Sequence, residues 1–182
     1  MDRFPVHSVD SAPEASKSAL GDVQARFGMI PNLAGAMATS PVLIQGFIGI
    51  FDKVHGGNFT EPQIQTVLLT DAVTNASTWA VALHTALGLQ AGLDPKDVEA
   101  MRAGRSPSDR KLGALSTLAR TLIEKRGRLN DQDIEQFLAA GFGEDLLLEA
   151  ITIVAASTIT NYTGSVTNPP LEAQLQKYAW NG

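Results

Sequence analysis

The stretch TEPQIQTVLLTDAVTNASTWAVALHTALGLQAG, residues 60 to 92, reads as two apolar helices in tandem and decides the fold. Thr60 and Gln63 stand at capping-box spacing, where a hydroxyl and an amide three residues apart each satisfy a backbone N–H that the first helical turn leaves free. Behind them Ile64, Val67, Leu68, Ala72 and Val73 spread over a broad apolar surface, the pattern of a helix buried on most sides. Asn75 or Ser77 can cap the second helix, and Gly92 closes it. Deep in that second helix stands one histidine, His84, the best functional lead in the chain.

Upstream, residues 4–10 read as an extended lead-in. Ser11, Pro13 and Glu14 mark a helix start that Gly28 ends just after Phe27. Pro31 and Asn32 open a short helix. Ser40 and Pro41 open a longer one with an apolar stripe of Val42, Leu43, Phe47, Ile50, Phe51 and Val54, closed by Gly56 and Gly57. Downstream, Asp94, Pro95 and Asp97 begin a brief helix. A loop through Ser106, Pro107 and Ser108 leads to an amphipathic helix carrying Leu112, Leu115, Leu118, Leu122 and Ile123. Asn130 and Asp131 cap a segment with Ile134, Phe137 and Leu138. The apolar run LLLEAITIVAASTITNY after Glu144 is rich in β-branched residues, yet its length and helical neighbours favour a buried helix over a strand. Pro169 and Pro170 break it, and Leu171, Leu175, Tyr178 and Trp180 in the tail are expected to pack on the body or on a partner chain. No segment alternates as a strand does between turn residues, so the reading is all-α, one domain over residues 1–182. A weak internal echo, NASTW against TITNY, accompanies it.

With 182 residues, 44% hydrophobic and 18% charged, the composition is that of an ordinary globular chain. A formal net charge of −5 and no clustered positive surface argue against nucleic-acid and anionic-membrane partners. Arg120, Lys125, Arg126 and Arg128 gather at a helix C-terminus, where they complement its dipole. There is no cysteine, so no disulfide, thiolate nucleophile or thiolate metal site can come from this chain. The N-terminus lacks a signal-like apolar core, and no uninterrupted apolar run reaches the roughly 18 residues of a membrane span. A cytoplasmic protein is the expectation.

The segment NASTWAVALH, residues 75 to 84, resembles the signature of the alkylhydroperoxidase D-like and carboxymuconolactone decarboxylase superfamily. That signature is a helix opening with Cys-x-x-Cys, and a histidine four residues after the second cysteine. The resemblance extends through FGMIPNLAGAMATSPVLI, through the middle of the chain from Ala91 to Phe142, and through TITNYTGSVTNPPLEAQLQKYAW. It implies a helical bundle with a pseudo-repeat and a homo-oligomer. It places the two cysteine positions at Ser77 and Ala80, the intervening aromatic at Trp79 and the histidine at His84. Gln65 falls where the peroxidase branch commonly has glutamate. Gly164 and Ser165 fall where many relatives have Asn-His. Asn161 and Tyr162 correspond to residues near the family's pocket.

In the complete motif, a helix-N-terminal thiolate attacks peroxide oxygen and the second cysteine resolves the sulfenic acid. A serine hydroxyl is barely ionised near neutral pH and forms no disulfide, and Ala80 offers no second group, so thiol peroxidase chemistry is excluded. What remains is His84 with Asp71, whose spacing from Leu68 and Val67 points it inward, where it could fix the imidazole tautomer. Ser77, His84 and Asp71 together invite a hydrolase reading, but no nucleophile elbow accompanies them. Two readings lead. One is a non-redox homologue that binds a small apolar or carboxylate ligand or serves as a scaffold, without cofactor or metal. The other is a decarboxylase-like lyase or isomerase with His84 as general acid or base. The second needs a cationic anchor, and no arginine lies near the motif. For each residue a plainer role stands beside these: His84 as a satisfied core histidine, Trp79, Asn161 and Tyr162 as packing and capping groups, His7 and His55 as exposed or capping groups, and Met29, Met37 and Met101 as core filling.

Overall fold

The computed structural model describes residues 3–182. Its helices are α1 Glu14–Phe27, α2 Asn32–Met37, α3 Pro41–His55, α4 Glu61–Thr74, α5 Thr78–Gln90, α6 Pro95–Arg102, α7 Arg110–Glu124, α8 Asp131–Ala139 and α9 Glu144–Thr167, followed by a 3-10 turn, Ala173–Tyr178. No strand occurs among the described residues. Local chemistry sets most boundaries. Thr60 N–H donates to Gln63 Oε1 at 2.9 Å. Asp109 Oδ1 accepts from Leu112 N at 2.9 Å, and Asn130 and Asp133 bond each other's backbone reciprocally at 2.9 and 3.0 Å. Between α4 and α5 the chain turns through Ala76, which takes a left-handed φ of 51°. Ser77 stands at the N-cap of α5, but its hydroxyl caps nothing; the expected Asn75 or Ser77 side-chain cap is replaced by this tight backbone turn.

Helix α4 lies at the centre, packed against α5, α7 and α9. Two apolar cores meet along it. One gathers Leu20, Leu33, Met37, Ile44, Leu69, Val81 and Met101 from α1, α2, α3, α4, α5 and α6. The other gathers Ile64, Val67, Leu115, Leu118, Phe137, Phe142 and Ile153 from α4, α7, α8, α9 and the turn between α8 and α9. Met37 and Met101 are core residues as expected, whereas Met29 is only half-buried beside Gln174.

The lead-in crosses α2 where Gly35 has no side chain, and His7 N–H donates to Gly35 O at 3.2 Å. A methyl at Gly35 would fall 2.8 Å from the His7 carbonyl oxygen. The tail packs on the body of its own chain: Arg102 donates to the carbonyls of Tyr178 and Ala179, and Trp180 Nε1 donates to Arg102 O at 3.0 Å. By length and composition alone α9 could cross a membrane. Instead it packs against α2, α3, α4, α5, α7 and α8.

Candidate functional site

Helices α1 through α5 and α9 enclose a cavity of about 460 Å³. Its walls are apolar, with Val23, Leu33, Met37, Phe47, Phe51, Leu68, Leu83 and Leu87 among them, and the indole of Trp79 forms part of one side. Among the polar side chains that line it, besides Arg26, Ser157 and Thr160, are His84 from α5, Gln65 and Glu61 from α4, and His55 from the end of α3. These last four form a continuous hydrogen-bonded row. His84 Nδ1 lies 3.0 Å from Gln65 Oε1, Gln65 Nε2 donates to Glu61 Oε1 at 2.7 Å, and His55 Nδ1 lies 3.1 Å from Glu61 Oε2.

The row runs from inside to outside. Gln65 is buried, His84 keeps 7% of its surface, and Glu61 and His55 face solvent at the mouth. The sequence explains how α4 supplies two of the four. Glu61, Gln65 and Leu68 recur at intervals of four and three residues, one face of a helix, and that face meets the cavity. Burial holds the His84 imidazole neutral, with its pKa lowered to about 3, and the His55 ring adds a small repulsion of the same sign.

Asp71 does not reach His84. It is six residues beyond Gln65 on α4, a rotation of roughly 120° away from the cavity face, and it points toward α9 among groups that give its carboxyl oxygens no hydrogen bond. Burial pushes this carboxyl well above the usual carboxylate range, outweighing the nearby Ser157 hydroxyl, which acts in the opposite sense. The partner of His84 is Gln65, an amide where a carboxylate was expected from Asp71.

The two positions that the resemblance aligns with cysteines, Ser77 and Ala80, lie off the cavity wall. Ala80 is fully buried in the first apolar core. Ser77 is 3% exposed, and its hydroxyl faces Gly164, where a methyl would come within 3.5 Å of it. With Ser77 off the cavity and Asp71 turned away, the serine hydrolase reading has no geometry to support it. The Trp79 ring lines the cavity while its Nε1 donates to the buried Glu172 at 2.9 Å. The other Glu172 oxygen accepts from Asn32 N at 2.6 Å.

Asn161 and Tyr162 do not line the cavity. Asn161 is buried behind it, donating to Ser157 Oγ at 3.0 Å, and Tyr162 is 62% exposed on the outer side of α9. Ser165 is also on the outside, its hydroxyl returned to the carbonyl of Asn161 at 2.9 Å.

Two residues absent from the sequence reading, Arg26 and Glu61, belong to the site, and so does His55, for which the sequence suggests only an exposed or capping role. Arg26, from the last turn of α1, lines the cavity and grips both carboxylate oxygens of Asp52. This pairing raises the guanidinium pKa and holds the Asp52 carboxyl below its usual range. An arginine thus does line the same cavity as the histidine. It comes from a distant helix, 58 positions before His84.

No family model matches the chain, and no curated protein matches it in sequence. Solved structures do match its shape. An uncharacterized peroxidase-related protein from Ralstonia eutropha JMP134, described as an alkylhydroperoxidase AhpD core, superposes with a TM-score of 0.83 at 17% identity, covering 95% of this chain and 93% of that one. A peroxidase-related protein from Silicibacter sp. TM1040 gives 0.77 at 17% identity over 95% and 92%. The debrominase Bmp8 in complex with 2,3,4-tribromopyrrole gives 0.78 at 13% identity over 96% and 94%. The fold is therefore that of the alkylhydroperoxidase AhpD-like proteins, as the resemblance at residues 75–84 implied. On that fold this chain carries no cysteine, and serine and alanine stand in NASTWAVALH where the signature has its thiols.

Proposed function

We propose that this protein is a non-thiol member of the AhpD-like group whose working part is a small-molecule cavity centred on His84. The observation that carries the reading is the combination of a cavity of about 460 Å³ with a buried, neutral imidazole held by its own row of side chains. Ligand sites commonly pair apolar walls with a few fixed polar groups. A pure scaffold gains nothing from such a void, since unfilled apolar space forfeits packing contacts. The debrominase neighbour, in complex with a halogenated aromatic, supports an apolar occupant here as well.

Thermal denaturation with a panel of hydrophobic acids, lactones, phenols and hydroperoxides tests it. A specific ligand at one hundred times its Kd stabilises by about 2.7 kcal/mol, and His84→Ala should abolish the shift. Uniform indifference of the wild type to every compound overturns the reading.

Arg26 favours one second reading, lyase or isomerase chemistry on an acid. That role requires Arg26 to exchange Asp52 for the substrate carboxylate, and His84 to act first as a base, since the resting ring is the neutral imidazole and not the imidazolium. Turnover of a lactone or unsaturated diacid that Arg26→Met eliminates would establish it.

We place the protein in the cytoplasm as a homo-oligomer. Leu148, Ile151, Tyr162 and Val166 are exposed on one side of α9. Helix α9 carries no lysine or arginine, so a second copy suits this apolar side better than an anionic surface does.

A further inference from the structure

The direction of the polar row fixes what His84 offers a ligand. Glu61 is the fixed point: its carboxylate accepts at both oxygens, one facing Gln65 and the other facing His55. A carboxylate cannot donate, so the Gln65 group beside it is the NH₂. Gln65 Oε1 then faces His84, where an oxygen acceptor requires a proton on Nδ1. The reversed amide would set two acceptors, Gln65 Oε1 and Glu61 Oε1, 2.7 Å apart with no proton between them. Nδ1 therefore carries the ring's one proton, and Nε2 is a bare lone pair. Among the described residues nothing donates to Nε2, and the ring borders the cavity. An acceptor without a donor in an apolar enclosure is costly until a ligand supplies the proton.

We propose that the cavity takes a compact, largely apolar molecule bearing one hydroxyl, of the phenol class, which donates its O–H to His84 Nε2. This deepens the small-molecule reading and rests on it. The same lone pair disfavours a carboxylate at that point, because two acceptors would face each other with no proton between them. An ether of the same shape fills the walls but leaves Nε2 unmatched.

The test is calorimetric titration of the full chain near neutral pH with 4-phenylphenol, 4-methoxybiphenyl and biphenyl-4-carboxylate, together with nitrogen-15 NMR of the histidine ring. The expected result is binding of the phenol about tenfold tighter than either analogue, and a His84 ring with pyrrole-type Nδ1 and pyridine-type Nε2. In Gln65→Leu, which removes the lock at similar volume, the ring should show mixed tautomers and the preference for phenol should shrink. Equal binding of phenol and ether would overturn the donor inference while leaving the cavity as a ligand site. Binding of none of the three would overturn both. A proton on Nε2 in the wild type overturns the inference without any ligand, so a poorly folded variant does not rescue it.

Discussion

His84 and Asp71 are both buried ionisable groups, and burial shifts their pKa values in opposite directions, down for the imidazole and up for the carboxyl. The His84 pKa falls from 6.5 in the unfolded chain to about 3 in the fold. Between those values the unfolded state binds the extra proton, so stability drops as pH is lowered from 6.5 toward 3. His84→Gln should flatten this part of the Tm-against-pH curve. Asp71 moves upward instead. The unfolded chain ionises near 3.8 and the folded carboxyl only at higher pH, so its contribution is full below 3.8 and is lost as pH rises through the folded pKa. Asp71→Asn should therefore raise Tm at pH 7 to 8, with a gain that shrinks toward zero below pH 4. A gain independent of pH would show that folding leaves the Asp71 pKa unshifted. At Trp79 the matter is hydrogen bonding: Trp79→Phe keeps an aromatic side chain, though a smaller one, but leaves a buried Glu172 oxygen without its donor. A loss of about 1–3 kcal/mol is expected in denaturant titrations.

At the level of helices, the sequence was legible wherever a boundary is decided within a few residues. Thr60 with Gln63, and Asn130 ahead of Asp131, announce their helices because a cap is a local bond. The cavity was legible only where a helix carries its own repeat. Glu61 and Gln65 are four apart and could have been paired on paper; nothing nearby marks Arg26 or His55, which arrive only when α1 and α3 pack against each other. Asp71 was misassigned because one apolar helix has several buried faces, and spacing from Leu68 and Val67 does not say which face meets α5. Gly35 shows the same dependence on tertiary contact. Gly35→Ala should dislodge the lead-in from α2, destabilising by about 1–3 kcal/mol in chemical denaturation, while Gly46→Ala, where nothing lies within 4 Å of an added methyl, should not destabilise.

For the molecule as a whole, the outer side of α9 is the place to read the proposed self-association. Leu148→Asp combined with Val166→Lys should lower the mass seen by light scattering. Both residues are exposed in the single chain, so its own unfolding free energy should change by no more than about 0.5 kcal/mol per site. An unchanged mass would exclude this side of α9 as the contact. The bond between Trp79 and Glu172 joins residues 93 positions apart, and it has a consequence in time. During synthesis α1 through α5 emerge long before residue 172 does. The helices can collapse early, but the wall that Trp79 forms is not pinned until the tail has arrived and threaded back past Asn32 and Arg102. A nascent chain halted within α9 should therefore be helical yet open, and the cavity is the last part of this protein to come into being.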